Sequence, residues 1–282
     1  MVAVGGAATG TARATGFGSA RVLVLAPLGF VAGLPMVITG GTLHVWLASE
    51  KVDVQTIGVF SLIALPYGLR FLWAPLLDRY RPPLLGRRRG WIAMMQLALV
   101  VAVGLMAMVD FIQQTRAAAA LCVVIAVLSA THVTAIEAYR ADILAAPERA
   151  AGAAAYLVGY RVAALFAGGL ALVLASRAGW AAVYLSMSAV LAIGLVTTWI
   201  APEPPPAARP PATIRDAIVL PLAEYFGRGG AWQALAVVLT YRLGEALAAP
   251  MVSPFLFEHG FSLLEVASLN KGLGLAASIA GT

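Results

Sequence analysis

The sequence predicts an all-α transmembrane protein. Hydrophobic residues make up 61% of the 282 residues and charged residues only 11%, a composition unlike that of a soluble domain. Uninterrupted apolar stretches reach the roughly 20 residues that a helix needs to cross the hydrocarbon core of a bilayer. By that measure we expect membrane-spanning helices near residues 21–47, 56–77, 91–110, 118–143, 150–175, 180–200, 231–257 and 264–282.

A basic loop between the second and third predicted helices indicates the orientation of the chain. It contains Asp78, Arg79, Arg81 and the consecutive arginines at 87–89. Short loops rich in arginine stay on the cytoplasmic side of a membrane, so this loop and the N-terminus are expected there. The same sorting accounts for the formal net charge of +6, which makes nucleic acid an unexpected partner. We interpret residues 87–89 as topology signals that contact lipid phosphates, and not as part of a functional site.

The chain offers no pattern typical of a cofactor or metal site. Its single cysteine, Cys122, lies in an apolar stretch, and His44, His132 and His259 are far apart in the sequence. The first apolar stretch lacks the short core and cleavage motif of a signal peptide, so we expect a retained helix. A membrane-embedded glycosyltransferase is disfavoured, because such chemistry needs acidic groups in sizeable loops and the loops here are short and basic.

Two segments divide the predicted helices into groups. Residues 201–211 are rich in proline, which cannot occupy a helix interior, so we expect a semi-rigid linker. Residues 213–220 mix apolar and charged side chains at helical spacing. Either a short helix on the cytoplasmic membrane surface or plain linker explains them. Residues 33–37 and 248–252 resemble each other, which indicates a weak internal repeat.

A repeat of this kind is typical of major facilitator transporters, whose two six-helix halves hold the substrate between them near the membrane centre. We therefore expect residues 1–200 to form a complete N-terminal six-helix half. Residues 201–230 are expected to form a cytoplasmic linker with an interfacial helix, and residues 231–282 the first two helices of the C-terminal half.

Several motifs carry a more specific resemblance. They are LPYGLRFLWAPLLDRY at 65–80, EAYRAD at 137–142, GYR at 159–161, APEP at 201–204, YRLGEA at 241–246 and NKGLGL at 270–275. With these motifs the chain resembles the AmpG muropeptide permeases, a family of major facilitator transporters, across residues 20–280. The resemblance implies a proton-coupled importer in the bacterial inner membrane. Its implied cargo is anhydromuropeptide, the N-acetylglucosaminyl-anhydro-N-acetylmuramyl peptide that is released during peptidoglycan turnover.

The resemblance also implies a longer protein. Members of this family have two complete halves, so we expect this chain to be truncated or incomplete and inactive in transport by itself. A related carrier of another large anionic metabolite, similar to acetyl-CoA transporters, stays open as an alternative.

Arg161 is the first candidate for substrate binding. At about 1.5 Å per residue it lies about 16 Å into the fifth predicted helix, near the middle of the bilayer. A charge there costs at least about 2.5 kcal/mol, so it needs water, a carboxylate or a substrate beside it. A guanidinium suits the peptide carboxylates of the implied cargo. A structural ion pair with another helix is the alternative.

The seventh and eighth predicted helices carry three further charges. Arg242 and Glu245 are three residues apart, so they share a helix face and can pair. Glu245 is our candidate for proton coupling, with Arg242 released to bind a substrate carboxylate when Glu245 is protonated. A permanent salt bridge explains the pair equally well. Lys271 is expected to add positive potential to the substrate cavity.

The first helix has an unusually polar segment that includes Thr42, His44 and Trp46. Breaks in a spanning helix are tolerated where the backbone lines a cavity. Because sugars stack on aromatic rings and hydrogen-bond to hydroxyls and imidazoles, we expect these three residues to contact the disaccharide. A histidine satisfied at the membrane interface is the alternative for His44.

A last set of charges lies near the cytoplasmic ends of the second and fourth predicted helices. It consists of Asp78, Arg79, Glu137, Arg140 and Asp142. Glu137 and Arg140 share a helix face by their spacing. Their shallow position at the rim favours a gate on the cytoplasmic side over contact with substrate.

Overall fold

The computed structural model of the chain describes residues 18–49, 60–110, 113–205 and 213–241, and residue 259. All regular structure in these ranges is helical, which confirms the all-α class. The chain divides into two compact units, Met1–Pro210 and Pro211–Thr282.

Helices α1 to α6 lie in the first unit, and several of them join α-helical segments to π-helical or 3₁₀ turns. In chain order they are α1 (Ala20–Leu23, Leu25–Val37, the π-helical Ile38–Thr42 and Leu43–Ser49), α2 (Ser61–Ala64, Leu65–Leu69, Arg70–Leu72 and Ala74–Arg79), α3 (Arg87–Met106), α4 (Thr115–Ile143), α5 (Arg149–Leu165 and the π-helical Phe166–Leu170) and α6 (Ala171–Ile200).

Four continuous helical stretches of the described chain are long and apolar enough to cross a membrane. They are Ala20–Leu47, Arg87–Met106, Thr115–Ile143 and Ala146–Ile200. The last has 55 residues, and a straight helix of that length would measure about 80 Å against a hydrocarbon core of about 30 Å. Gly179 interrupts it with φ 80° and ψ 171°, inside the gap predicted between residues 175 and 180. The division into six plus two spans stays a prediction.

Helix α2 differs from the regular helix predicted over 56–77. Residues 60–79 form a series of short α-helical and 3₁₀ segments. Pro66 and Pro75 each occupy the first turn of a new segment, where a missing backbone N–H leaves no hydrogen bond unmade. The predicted span near 56–77 did not include these interruptions, because apolar length alone does not show where prolines restart a helix, and the span itself stays a prediction.

Glycines let α1 and α5 approach each other at backbone distance. A methyl group on Gly29 would overlap the backbone carbonyl of Tyr156, and one on Gly159 would overlap the backbone carbonyl of Ala26. A methyl group on Gly33 would lie 3.0 Å from the Tyr160 carbonyl oxygen, which is a tight contact without overlap. Small residues at such positions allow helices to pack closely in membranes, where packing replaces the hydrophobic effect as the source of association.

The paired glycines Gly168 and Gly169 do not belong to this contact. A methyl group on either would meet no atom of a described residue within 4 Å. Both lie in the π-helical turn of α5, and Gly40 and Gly41 lie in the corresponding turn of α1 with equally open surroundings. Close helix packing therefore explains Gly159 and does not explain this pair.

A buried hydrogen-bond network joins α3 to α6. Gln96 is fully buried, and its Nε2 donates to the Leu191 carbonyl over 3.0 Å. Thr198 donates its hydroxyl to Gln96 Oε1 over 2.8 Å. Every polar atom in this exchange finds a partner inside an apolar environment, so the network specifies how these two helices meet.

The second unit contains helices α7 (Ile214–Phe226) and α8 (Ala231–Tyr241) in its described part. Thr213 caps α7: its hydroxyl accepts from the Asp216 amide over 3.0 Å, and Asp216 accepts from the Thr213 amide over 3.1 Å. Residues 214–220 are therefore helical, as in the first of the two alternatives above, and Thr213 is the N-cap. A position at the membrane surface stays a prediction.

Candidate functional site

A polar pocket lies between α1 and α2 and has a volume of about 250 Å³. Its lining combines apolar walls with a few polar groups, as small-molecule sites do. The lining residues are Met36, Thr39, Gly40, His44, Phe60, Ile63, Ala64 and Tyr67.

Two polar atoms of the pocket residues have no hydrogen-bond partner among the described residues. They are His44 Nε2 and Tyr67 Oη, and both atoms are buried. The Tyr67 hydroxyl neighbours the side chains of Thr39 and Ser129, yet Thr39 instead donates to the Pro35 carbonyl over 2.8 Å. An unsatisfied buried polar atom costs about 1–3 kcal/mol, so both atoms gain by meeting a ligand hydroxyl or carbonyl.

The π-helical turn of α1 determines which side chains reach the pocket. Gly40 has a non-helical backbone with φ −96° and ψ −105°, so the side chains before and after it point in directions that differ from those in a regular helix. Thr39 and His44 line the pocket, whereas Thr42 donates its hydroxyl to the Ala167 carbonyl of α5 over 2.6 Å. π-Helical turns are often found at functional sites, where they re-aim side chains in this way.

Trp46 lies in the packing between helices. It is 8% exposed, stacks on Trp180 at 5.5 Å between ring centroids and contacts Tyr184 at 5.2 Å. Of the three residues predicted to contact sugar, the structure thus brings His44 to the pocket and holds Thr42 and Trp46 in helix contacts. Sugar contact by Thr42 and Trp46 stays a prediction.

Arg161 lies on α5 without a counter-ion in the described chain. The side chain is partly exposed, and its buried Nε makes no hydrogen bond. The structural ion pair considered as the alternative is absent among residues 18–49, 60–110, 113–205 and 213–241. A buried guanidinium nitrogen without an acceptor is a binding position for an anion.

A series of tyrosines leads away from the pocket. Tyr160 donates its hydroxyl to the sulfur of Met36, and its ring lies 6.4 Å from that of Tyr156. Arg140 lies over the Tyr156 ring at 4.9 Å, a cation–π contact. Sequence reasoning missed Tyr67, Tyr156 and Tyr160, although the spacing of four between the last two places them on one face of α5.

Arg88 is the centre of a charge network at the other end of these helices. Its Nε donates to Asp142 over 2.6 Å, and its Nη1 donates to Asp78 over 2.7 Å. The arginine side chain is only 11% exposed. Because these residues lie on α3, α4 and α2, one guanidinium ties three helix ends together.

The other predicted gate residues are Arg79, Glu137 and Arg140, and the structure gives each a partner that the helix spacing did not predict. Glu137 pairs with Arg70 over 3.0 Å, and Arg140 lies over Tyr156. Arg79 lies over the Tyr80 ring at 5.8 Å. The structure brings Asp78 and Asp142 together through Arg88, whereas Glu137 forms its salt bridge with Arg70.

The interpretation of residues 87–89 as lipid contacts needs correction. Arg88 is engaged by two carboxylates, and Arg89 donates to the Thr198 and Trp199 carbonyls at the end of α6 and to Glu203. Basic side chains satisfy helix C-terminal carbonyls in this way. The composition of the loop did not show that two of the three arginines point back into the protein.

Arg242, Glu245 and Lys271 lie outside the described residues, so their predicted roles stay predictions. Within the part of the chain that the structure describes, no group of three His, Cys, Asp or Glu side chains could hold a metal ion.

Comparison with known proteins gives consistent matches. Residues 25–282 match the family described as Major Facilitator Superfamily. The "Anhydromuropeptide permease" of Escherichia coli (strain K12) is 44% identical over 267 residues, covering 94% of this chain and 54% of that protein. An "Uncharacterized protein" of Haemophilus influenzae is 35% identical over 264 residues, with coverage of 92% and 62%. The "Putative transporter AmpG 4" of Rickettsia felis is 28% identical over 272 residues, with coverage of 93% and 66%. The chain spans between about half and two thirds of the length of these relatives.

Proposed function

This chain belongs to the Major Facilitator Superfamily, and from that membership we propose that it is part of an importer of anhydromuropeptides. Its described helices are long and apolar enough for a multi-pass membrane protein, and its family is one of transporters and not of enzymes. The similarity to the Escherichia coli permease supports the choice of cargo.

The unsatisfied polar atoms at the pocket carry the proposal. A disaccharide of amino sugars offers hydroxyls, which both donate and accept hydrogen bonds, and acetamido groups, which have an N–H donor and a carbonyl acceptor. His44 Nε2 and Tyr67 Oη make no hydrogen bond of ordinary geometry with a described residue, and the nearest polar side chains to the Tyr67 hydroxyl are those of Thr39 and Ser129. A sugar hydroxyl or acetamido group satisfies both atoms in this proposal. The pocket is narrow at about 250 Å³ and therefore takes one sugar ring, with the rest of the ligand outside it.

Arg161 takes the peptide part of the cargo in this proposal. The peptide stem carries carboxylates, and a guanidinium binds a carboxylate with two parallel donors. Arg161 has a buried nitrogen without an acceptor and no ion pair among the described residues. Its charge therefore needs a partner that arrives with the ligand.

The network around Arg88 is proposed as part of the cytoplasmic gate. Arg88 holds the ends of α2, α3 and α4 in one arrangement through Asp78 and Asp142. Such a network has two discrete states, formed and broken, which is what a rocking transporter needs at its ends. Orientation with the N-terminus in the cytoplasm, and location in the inner membrane, belong to the same proposal.

Proton coupling is assigned to Glu245. Its spacing of three from Arg242 allows an ion pair that protonation of Glu245 breaks. A carboxylate within a predicted membrane span is a candidate for carrying the proton of a proton-driven importer. Lys271 adds positive potential for an anionic cargo. We propose these roles from the sequence.

Accumulation of labelled anhydromuropeptide in proteoliposomes tests the function. A full-length protein that contains this chain is reconstituted, because the chain by itself is expected to be inactive in transport. Uptake is followed with an imposed pH gradient and with the gradient collapsed by a protonophore. We expect gradient-dependent accumulation that excess unlabelled anhydromuropeptide suppresses and acetyl-CoA does not. Equal accumulation with and without the gradient overturns proton coupling, and suppression by acetyl-CoA alone overturns the choice of cargo. No accumulation contradicts the proposed import.

A further inference from the structure

A second cavity, distinct from the polar pocket, lies on the outer face of α3 and α6. Its volume is about 360 Å³, within the range of small-molecule sites. The loop residues Pro82 and Leu84 form one wall, and Ala93, Leu97 and Trp199 line the rest. Leu84 is 72% exposed and Leu97 56%, so the groove opens away from the protein core.

The loop that forms this groove has a defined structure. Leu85 and Gly86 both have left-handed backbone, with φ 60° and 76°, which turns the chain back onto the start of α3. A methyl group on Gly90 would collide with the Leu84 carbonyl and crowd Pro82. The indole N–H of Trp91 donates to the Tyr80 carbonyl over 2.8 Å, and this bond ties the residue before the loop to the start of α3. A left-handed leucine costs about 1–2 kcal/mol, so the surrounding contacts must hold this turn.

Two arginines next to the groove-lining residues in the sequence, and Trp199 in the lining itself, keep hydrogen-bond donors that no described residue accepts. Arg81 precedes the loop wall, is exposed, and makes no hydrogen bond or ion pair with any described residue. Arg87 follows the wall and donates only to the Asp78 carbonyl, so it meets no carboxylate in the described chain. Trp199 is 67% exposed, and its indole N–H finds no acceptor among these residues.

From this arrangement we propose that the groove binds one anionic phospholipid from the leaflet next to the basic loop. An acyl chain fills the apolar groove between α3 and α6, and the phosphate meets Arg81 and Arg87. The Trp199 indole donates to the glycerol ester or phosphate, as interfacial tryptophans do. Basic pockets between spanning helices bind anionic headgroups by this combination of charge and apolar contact. The site does not overlap the polar pocket, and it does not depend on the proposed cargo.

The arginines of the basic loop differ in whether protein acceptors bind them, and this difference supports the choice of ligand. Arg88 and Arg89 are bound by protein acceptors, whereas the two arginines beside the groove keep donors for a ligand. An anionic headgroup supplies the missing acceptors together with a net negative charge, whereas the ammonium of a zwitterionic headgroup offsets the attraction of its phosphate.

Native mass spectrometry of the complete chain in detergent tests the proposal. Phosphatidylglycerol is titrated against phosphatidylcholine with the same acyl chains, and the fraction of lipid-bound protein is measured for each. We expect tighter retention of phosphatidylglycerol. Arg81→Gln is expected to weaken it about fivefold, since one basic residue near a charged membrane surface contributes about 1 kcal/mol.

Two further variants separate a built site from general charge attraction. Ala93→Phe fills the groove and keeps every arginine, so we expect it to abolish the preferential retention. Arg116→Gln removes an exposed arginine at the start of α4, away from the groove, and is expected to leave retention unchanged. Equal binding of both lipids overturns the proposal. Loss in Arg81→Gln but not in Ala93→Phe also overturns it, because surface charge alone then explains the preference. Dimers that form through the groove without lipid would contradict it too.

Discussion

Gly159 gives the sharpest test of how α1 and α5 pack. An alanine at this position places a methyl group inside the backbone carbonyl of Ala26 and close to the amide nitrogen of Phe30. The obstacle is helix backbone and not the end of a flexible side chain. The two helices must therefore move apart along a contact that Gly29 also brings to backbone distance.

The size of the effect follows from two opposing contributions. Overpacking of this kind costs about 1–3 kcal/mol, and backbone obstruction favours the upper part of that range. Replacing glycine by alanine in a helix returns about 0.5–1 kcal/mol through the lower entropy of the unfolded chain. We expect Gly159→Ala to lower the free energy of unfolding by about 1–2 kcal/mol.

Gly168→Ala is the matched control, because it makes the same chemical change in the same helix. A methyl group there meets no atom within 4 Å in the part of the chain that the structure describes, so only the favourable contribution remains. Reversible unfolding in mixed micelles, followed by circular dichroism, measures both variants beside the unsubstituted chain. The reasoning predicts the order Gly168→Ala, unsubstituted chain, Gly159→Ala from most to least stable. Equal stability of the two variants would refute the packing argument.

Three further substitutions test the remaining contacts. Gln96→Leu removes the acceptor of the buried Thr198 hydroxyl and the side-chain donor to the Leu191 carbonyl, so the same unfolding assay should show a loss of about 1–3 kcal/mol, and no loss would remove the network from the account. Arg88→Gln leaves two partly exposed carboxylates facing each other. We expect faster amide hydrogen exchange at the ends of α2 and α4 by mass spectrometry, whereas unchanged exchange would mean that the network does not hold them. Tyr67→Phe removes a hydroxyl that has no partner, so we expect unchanged stability with about five- to tenfold weaker anhydromuropeptide binding by equilibrium dialysis; unchanged binding would take Tyr67 out of the site.

The sequence predicted the class of fold because that class depends on composition and length. Apolar stretches and short basic loops identify a multi-pass helical protein without any knowledge of tertiary contacts. The break near Gly179 was predicted on the same basis. The irregular α2 was not, because its prolines lie inside a stretch that is apolar enough to be read as one helix.

The candidate site was harder to predict because it depends on which side chains face each other. Spacing placed Glu137 and Arg140 on one helix face, yet Glu137 pairs with Arg70 on another helix. Arg88 and Arg81 belong to one basic loop, yet only Arg88 has carboxylate partners. Gly159 and Gly168 look alike in sequence, and only the position of α1 distinguishes a packed glycine from an open one.

Arg161 decides the central claim, which is that the chain recognises an anionic muropeptide through an unpaired guanidinium. Equilibrium binding is measured for anhydromuropeptide and for the same disaccharide without its peptide, with the unsubstituted chain and with Arg161→Gln. We expect the peptide-bearing ligand to bind more tightly to the unsubstituted chain, and Arg161→Gln to remove that difference while affinity for the bare disaccharide stays the same. If Arg161→Gln binds both ligands as the unsubstituted chain does, Arg161 does not bind the peptide carboxylates and the account of the site is wrong.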